Sequence, residues 1–289
     1  MSETKEEAVQ AAVEEHTPIS PPSASSIIPI TCPVVGRNVK KAKFLIIGRP
    51  KSGKTTLAAS VIGRNGQPNT VLFATETGHE HVTDVLPVDV TSWSRFLAGL
   101  EEVRNRPDIE RIVIDTFSKL ARMCQTHICR KLQIVHPSDM DHGIAWGRLG
   151  DEFLNGMTRL TSLHRQIVLI AHTKETSRKV RGQEVTTITV DLPSAASRFA
   201  QAEVDVSAYL TIENDPETLR RQRVLYLQGS DELEIDGRYV HGADVPDRII
   251  IPDLPVRGWP VVEAVMTKAF QGPAVKPPRP ARKTIQQVF

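Results

Sequence analysis

Gly48-Arg49-Pro50-Lys51-Ser52-Gly53-Lys54-Thr55, followed by Thr56, matches G-x-x-x-x-G-K-[ST] without a gap. Before it runs Lys43-Phe44-Leu45-Ile46-Ile47, a short apolar run with the character of a buried strand. After it, Thr56-Leu57-Ala58-Ala59-Ser60-Val61-Ile62 can continue as a helix. Strand, glycine-bounded loop and helix start together make a phosphate cradle. Gly48 and Gly53 permit turns that aim successive backbone N–H groups inward, where side chains would crowd an anion. Lys54 has the reach for β- and γ-phosphates, and the Thr55 hydroxyl suits one Mg²⁺ position. The expectation is a nucleoside triphosphate, ATP with Mg²⁺, on residues 48–56.

Further apolar runs end in polar residues. Thr70–Ala74 delivers Thr75-Glu76-Thr77-Gly78, Glu110–Asp115 ends in its own carboxylate, and Gln166–Ala171 delivers His172. The spacing predicts helices over Ser92–Arg104, Phe117–Leu132 and Ile144–Leu163, joined to these strands in alternation. That alternation predicts an α/β fold with a mostly parallel central sheet covered by helices on both faces.

Asp115 follows three apolar residues, the pattern of a carboxylate that holds the Mg²⁺ shell from a neighbouring strand. The next residue is Thr116 rather than Glu, so a water-activating base must come from elsewhere. Glu76, at the carboxyl end of another strand, is the candidate, ahead of Glu80 and Asp84 farther along the loop. His172 is expected beside the γ-phosphate if its strand lies between those of the phosphate loop and Asp115. There it would sense ATP against ADP and pass the difference to the segment that follows. Cys124, His127, Cys129 and His136 have spacings that fit no zinc site.

From Thr173 the texture changes. Lys174, Arg178, Lys179 and Arg181 form a basic loop that leads into a hairpin through Val185–Leu192. These four cations are the candidates for contact with nucleic-acid phosphates, while the absence of aromatics in the loop argues against base stacking there. Two more strands, Asp205–Ile212 and Arg223–Leu227, form a C-terminal hairpin extension.

The organisation predicted is an acidic, Pro/Ser-containing leader over 1–28, one domain over 29–265, and a basic Pro-rich tail over 266–289. The last six residues of that tail, Thr284–Phe289, are a candidate dock for a single-strand-binding protein or a sliding clamp. The chain is 40% hydrophobic and 24% charged with a net charge of +2, the make-up of an ordinary globular protein. Three cysteines give no disulfide framework, the start has no signal-peptide pattern, and no run reaches the length of a membrane span. A cytoplasmic setting is therefore expected.

Taken together, Phe44–Thr56, Phe73–Gly78, Ile112–Lys119, Trp146–Leu149, Ile167–Lys174 and Ala202–Asp205 resemble the RecA-type ATPase core. More closely, they resemble the short phage-encoded RecA-core ATPases of the Sak-type single-strand annealing and recombination group, AAA-family nucleotide-binding proteins. Ile235-Asp236-Gly237-Arg238 loosely matches a late feature of that group. The resemblance covers about residues 40–240 and implies a RecA-like fold, ATP hydrolysis, ring or filament assembly, and single-stranded DNA as partner. It places the host cytoplasm as the setting. It also implies that a neighbouring subunit's cation completes the site, with Arg198, Arg238 or a cation of the 174–181 loop as candidates. The open alternatives are a DNA-packaging or helicase-loading ATPase, an ATP-gated binding module with negligible turnover, and a P-loop kinase.

Overall fold

A computed structural model of the chain describes residues 38–60, 66, 68–180, 183–235, 237, 245–252 and 258–271. The leader, Arg181 and Arg238 lie outside the described residues, as do the tail beyond 271 and the side chains of Arg178 and Lys179.

Four apolar runs form parallel strands: β1 (Lys43–Ile47), β2 (Thr70–Ala74), β4 (Arg111–Asp115) and β5 (Gln166–Ala171). β3 (Leu86–Asp89) adds a parallel edge next to β2. β8 (Val206–Asn214) lies parallel to β1, and β9 (Arg221–Tyr226) and β10 (Arg248–Ile251) continue antiparallel beyond it. The eight-stranded order is β10-β9-β8-β1-β5-β4-β2-β3, so the sheet is α/β and mostly parallel, as the alternation predicts.

The strands bury both faces. Leu45 and Ile47 point into one core with α2 (Trp93–Arg104), α3 (Phe117–Leu132), α4 (Ile144–Thr161) and α5 (Ser194–Glu203). Phe44 and Ile46 point into the other, with α1 (Lys54–Ala59) and α6 (Gly258–Gln271). The period-two alternation of side chains along a strand makes this division.

Three expectations need correction. The first helix starts at Lys54 and ends at Ala59, one residue before Ser60, whose hydroxyl bonds back to the Leu57 carbonyl (2.7 Å) and accepts from the Trp259 N–H (2.9 Å). The basic segment after His172 is not a loop. Its residues form strand β6 (Thr173–Val180), paired antiparallel with β7 (Gln183–Val190) in a separate two-stranded sheet. Antiparallel pairing with β7 along all eight residues holds a strand whose charged side chains gave no strand signal. Finally, the domain does not end at residue 265, because α6 continues to Gln271 with Met266, Ala269 and Phe270 buried.

α6 is fastened at the amino end of the sheet by a buried polar cluster. Arg111 and Gln166, the first residues of β4 and β5, face each other in register, and the Arg111 Nε donates to Gln166. Arg111 also donates to Glu263 of α6 (2.8 Å) and lies 5.0 Å over the Trp259 ring. Burial pulls the Arg111 guanidinium down to about 10, against the pull of Glu263, so it stays charged at neutral pH. Removing the carboxylate strands that charge. Glu263→Ala is expected to lower unfolding stability in urea by about 3 kcal/mol, whereas Glu263→Gln, which keeps an acceptor, loses less. A loss below about 1 kcal/mol for Glu263→Ala would contradict this account of the cluster.

Candidate nucleotide site

The phosphate loop leaves the carboxyl end of β1 and is set by backbone constraints. Lys51 and Gly53 both adopt positive φ, at 65° and 96°. At Gly48 a Cβ would stand 2.4 Å from the Leu210 carbonyl oxygen of β8, so the neighbouring strand excludes any side chain there. The Ser52 Oγ is buried with no hydrogen-bond partner among the described residues.

Lys54 is 5% exposed, and its ammonium donates to the carbonyls of Gly48 and Arg49, both at 2.8 Å. Burial lowers it to about 8, and Asp115 and Glu76 pull the other way. The Thr55 hydroxyl donates to the Asp115 carboxylate at 2.5 Å, bringing together the two expected metal-shell groups. Burial raises Asp115 above the usual carboxylate range, opposed by the Thr55 hydrogen bond and the Lys54 charge.

β5 does lie between β1 and β4, so His172 and Glu76 meet across the carboxyl edge. The His172 Nε2 is 3.9 Å from a Glu76 oxygen, and its buried Nδ1 has no partner among the described residues. Two threonines that sequence reasoning passed over hold Glu76 in place. The Thr116 hydroxyl donates to the other Glu76 oxygen at 3.2 Å. Thr75 accepts from the Thr116 N–H at 2.9 Å and donates to the Asp115 carbonyl at 3.2 Å, tying the ends of β2 and β4. The only sequence signal for this was Thr116 standing where a glutamate was sought.

The other candidates divide. Lys174 is exposed near the start of β6, and its neighbour Glu175 pairs with Arg49 of the phosphate loop at 2.7 Å. Arg198 sits on α5, where its guanidinium lies over Gly150 of α4. A cleft of about 360 Å³ opens beside Glu76 and His172, flanked by Lys119, Arg122 and Asp191. Cys124 and Cys129 are buried free thiols, and among the described residues no cluster suits a structural metal.

The donor set fits a magnesium nucleotide. A hydroxyl and a carboxylate oxygen in contact are hard ligands for Mg²⁺, and a buried lysine held only by carbonyls, beside an orphaned serine hydroxyl, is arranged for an anion. A protein-family model described as an AAA domain matches residues 40–239. The chain belongs to the AAA domain family. Among solved structures, a KaiC-like protein of the hyperthermophilic archaeon Pyrococcus horikoshii OT3 aligns over 74% of this chain and 90% of that one, at 14% identity and a TM-score of 0.40. No curated protein matches the sequence. Within this AAA domain the matched span includes the phosphate loop, Glu76, Asp115, His172 and the β6–β7 hairpin. Among the described residues no helix is long and apolar enough to cross a membrane.

The close approach at Gly48 generates a prediction. Gly48→Ala must push the loop off the Leu210 carbonyl, which tilts the N–H groups that face the phosphates. Titration with a fluorescent ATP analogue is expected to show affinity at least about tenfold weaker, equivalent to about 1.4 kcal/mol. Unchanged affinity would mean the loop tolerates the shift.

Proposed function

We propose that this AAA domain is a Mg²⁺-dependent ATPase of RecA-like type that acts on single-stranded DNA in phage recombination, repair or replication. The observation that carries the reading is the placement of Glu76 between Thr116 and His172, with the basic β6–β7 hairpin rooted at His172.

In this reading ATP occupies the phosphate loop, and Lys54 exchanges its two carbonyl acceptors for β- and γ-phosphate oxygens. Thr55 and Asp115 would hold Mg²⁺, which would supply neutralisation of the charge on the triphosphate. A water aligned by Glu76 attacks the γ-phosphorus in line. Its proton passes to the Glu76 carboxylate as the bond to the β–γ bridging oxygen breaks, leaving ADP and phosphate. The Thr116 hydrogen bond fixes which Glu76 oxygen is free for that proton. His172 reads whether a γ-phosphate is present and passes the difference into β6, which begins at the next residue.

Single-stranded DNA enters through charge. Lys174, Arg178 and Lys179 lie on β6 and Arg181 follows them in sequence, and cations so grouped bind phosphates without regard to sequence. Assembly into a ring or filament is part of the proposal, with Arg198 or Arg238 of a neighbouring copy as the cation that completes the site.

The test is steady-state ATP turnover at fixed Mg²⁺ with no DNA, with single strands and with duplex. Single strands are expected to raise turnover by about tenfold or more, about 1.4 kcal/mol of barrier. Equal turnover in all three conditions contradicts the DNA half of the reading. Charge removal at Lys174, Arg178, Lys179 and Arg181 together is expected to abolish the stimulation and leave the DNA-free rate unchanged.

A further inference from the structure

Of the three tryptophans in the sequence, Trp93 and Trp259 are fully buried, while Trp146 is 41% exposed. Two aliphatic residues near it in sequence are also exposed, Ile144 at the start of α4 (47%) and Val135 in the connection between α3 and α4 (94%). The His136 ring stands edge-on to the Trp146 indole, with centroids 5.6 Å apart. An exposed indole held against a second ring is a surface suited to cover by a ligand.

The patch is held in shape from beneath. The Asp139 carboxylate accepts from the Val135 and His136 N–H groups, at 3.0 and 2.7 Å, and His136 Nδ1 accepts from the Ser138 N–H. Its position follows from α4. That helix ends at Thr161, a short connection from the amino end of β5, and Trp146 lies about 22 Å back along it. Six residues of β5 span about 20 Å, so Trp146 stands level with the carboxyl edge of the sheet. It lines a small hollow of about 160 Å³ with Gln125, Leu149 and Pro193. Pro193 lies two residues past Asp191, whose N–H bonds the His172 carbonyl and closes the base of the hairpin. Through that hollow Trp146 borders the residues that leave the hairpin base.

We infer that the Trp146–His136 pair is a base-stacking platform for single-stranded DNA, working beside the cations of the β6–β7 hairpin. The inference rests on the DNA-binding reading proposed above. A single-strand groove needs charge for the backbone and rings for the bases. Residues Thr173–Val190 contribute cations and no aromatic side chain, and the adjacent patch contributes the rings. Its local charge also suits a polyanion: Arg130, Lys131 and Arg148 are exposed, Asp139 is engaged by two backbone N–H groups, and Asp141 is the remaining acid between residues 127 and 148.

Because the other two tryptophans are buried, the part of the emission that DNA or acrylamide can reach belongs to Trp146. Titrating the full chain with oligothymidylate, alongside a labelled oligonucleotide read by anisotropy, is expected to quench the emission and protect it from acrylamide. Trp146→Phe should lose the quenching and keep most of the affinity, while Trp146→Ala should bind about tenfold more weakly. The buried Trp93 and Trp259 emission certifies that both variants fold. Binding by anisotropy with unchanged Trp146 emission and unchanged Trp146→Ala affinity overturns the platform and leaves the DNA reading standing. No binding in any assay overturns that reading and the platform with it. Emission that responds to protein dilution and not to DNA makes the patch a contact between copies, which also overturns the inference.

Discussion

The parallel pairing of β5 between β1 and β4 is the constraint on which the site depends. Register locks Ile47 to Ala171 and Asp115 to Ile170, so the polar residues that follow these strands emerge at one edge. With β2 on the far side of β4, the carboxyl ends of four strands bring the phosphate loop, His172, Asp115 and Glu76 to one edge. Move β5 to another position and the 3.9 Å approach of His172 to Glu76 disappears, with the route from the site into the hairpin.

That edge concentrates charge in a partly dry place. Lys54 and Asp115 are each pushed towards neutrality by burial, and each restrains the other through their opposite charges. A site so balanced gains from any ligand that restores solvation to both, and a magnesium triphosphate brings anionic oxygens to one and a cation to the other. Glu76 differs: its side chain is 42% exposed, so it keeps access to water while Thr116 fixes its direction. The exposed Arg49–Glu175 pair is worth at most about 1 kcal/mol and adds a second, weak thread from loop to hairpin.

The buried parallel strands were legible because strands covered on both faces read as continuous apolar runs, and the four predicted ones fall within a residue of the observed bounds. The long helices α2, α3 and α4 were legible from their spacing. Elements whose signal is tertiary were not. β3 carries a proline and an aspartate at the sheet edge, and β6 is charged along its length and forms only because β7 pairs with it. α6 opens on Gly-Trp-Pro ahead of a proline-rich stretch, and its place is fixed by Arg111 and Gln166 about a hundred residues or more away. At the site, Lys54, Thr55 and Asp115 could be named from local pattern. Thr75 and Thr116 as holders of Glu76 could not, because that role arises from the register of β2 on β4.

In the mechanism proposed, Glu76 activates the attacking water while the phosphate loop binds the nucleotide. Glu76→Gln separates the two when ATP affinity and single-turnover hydrolysis are measured on the same sample. Affinity within about twofold of the parent, with hydrolysis slower by about a hundredfold or more, is the result predicted. Hydrolysis at the parent rate would contradict it and move the base to another residue.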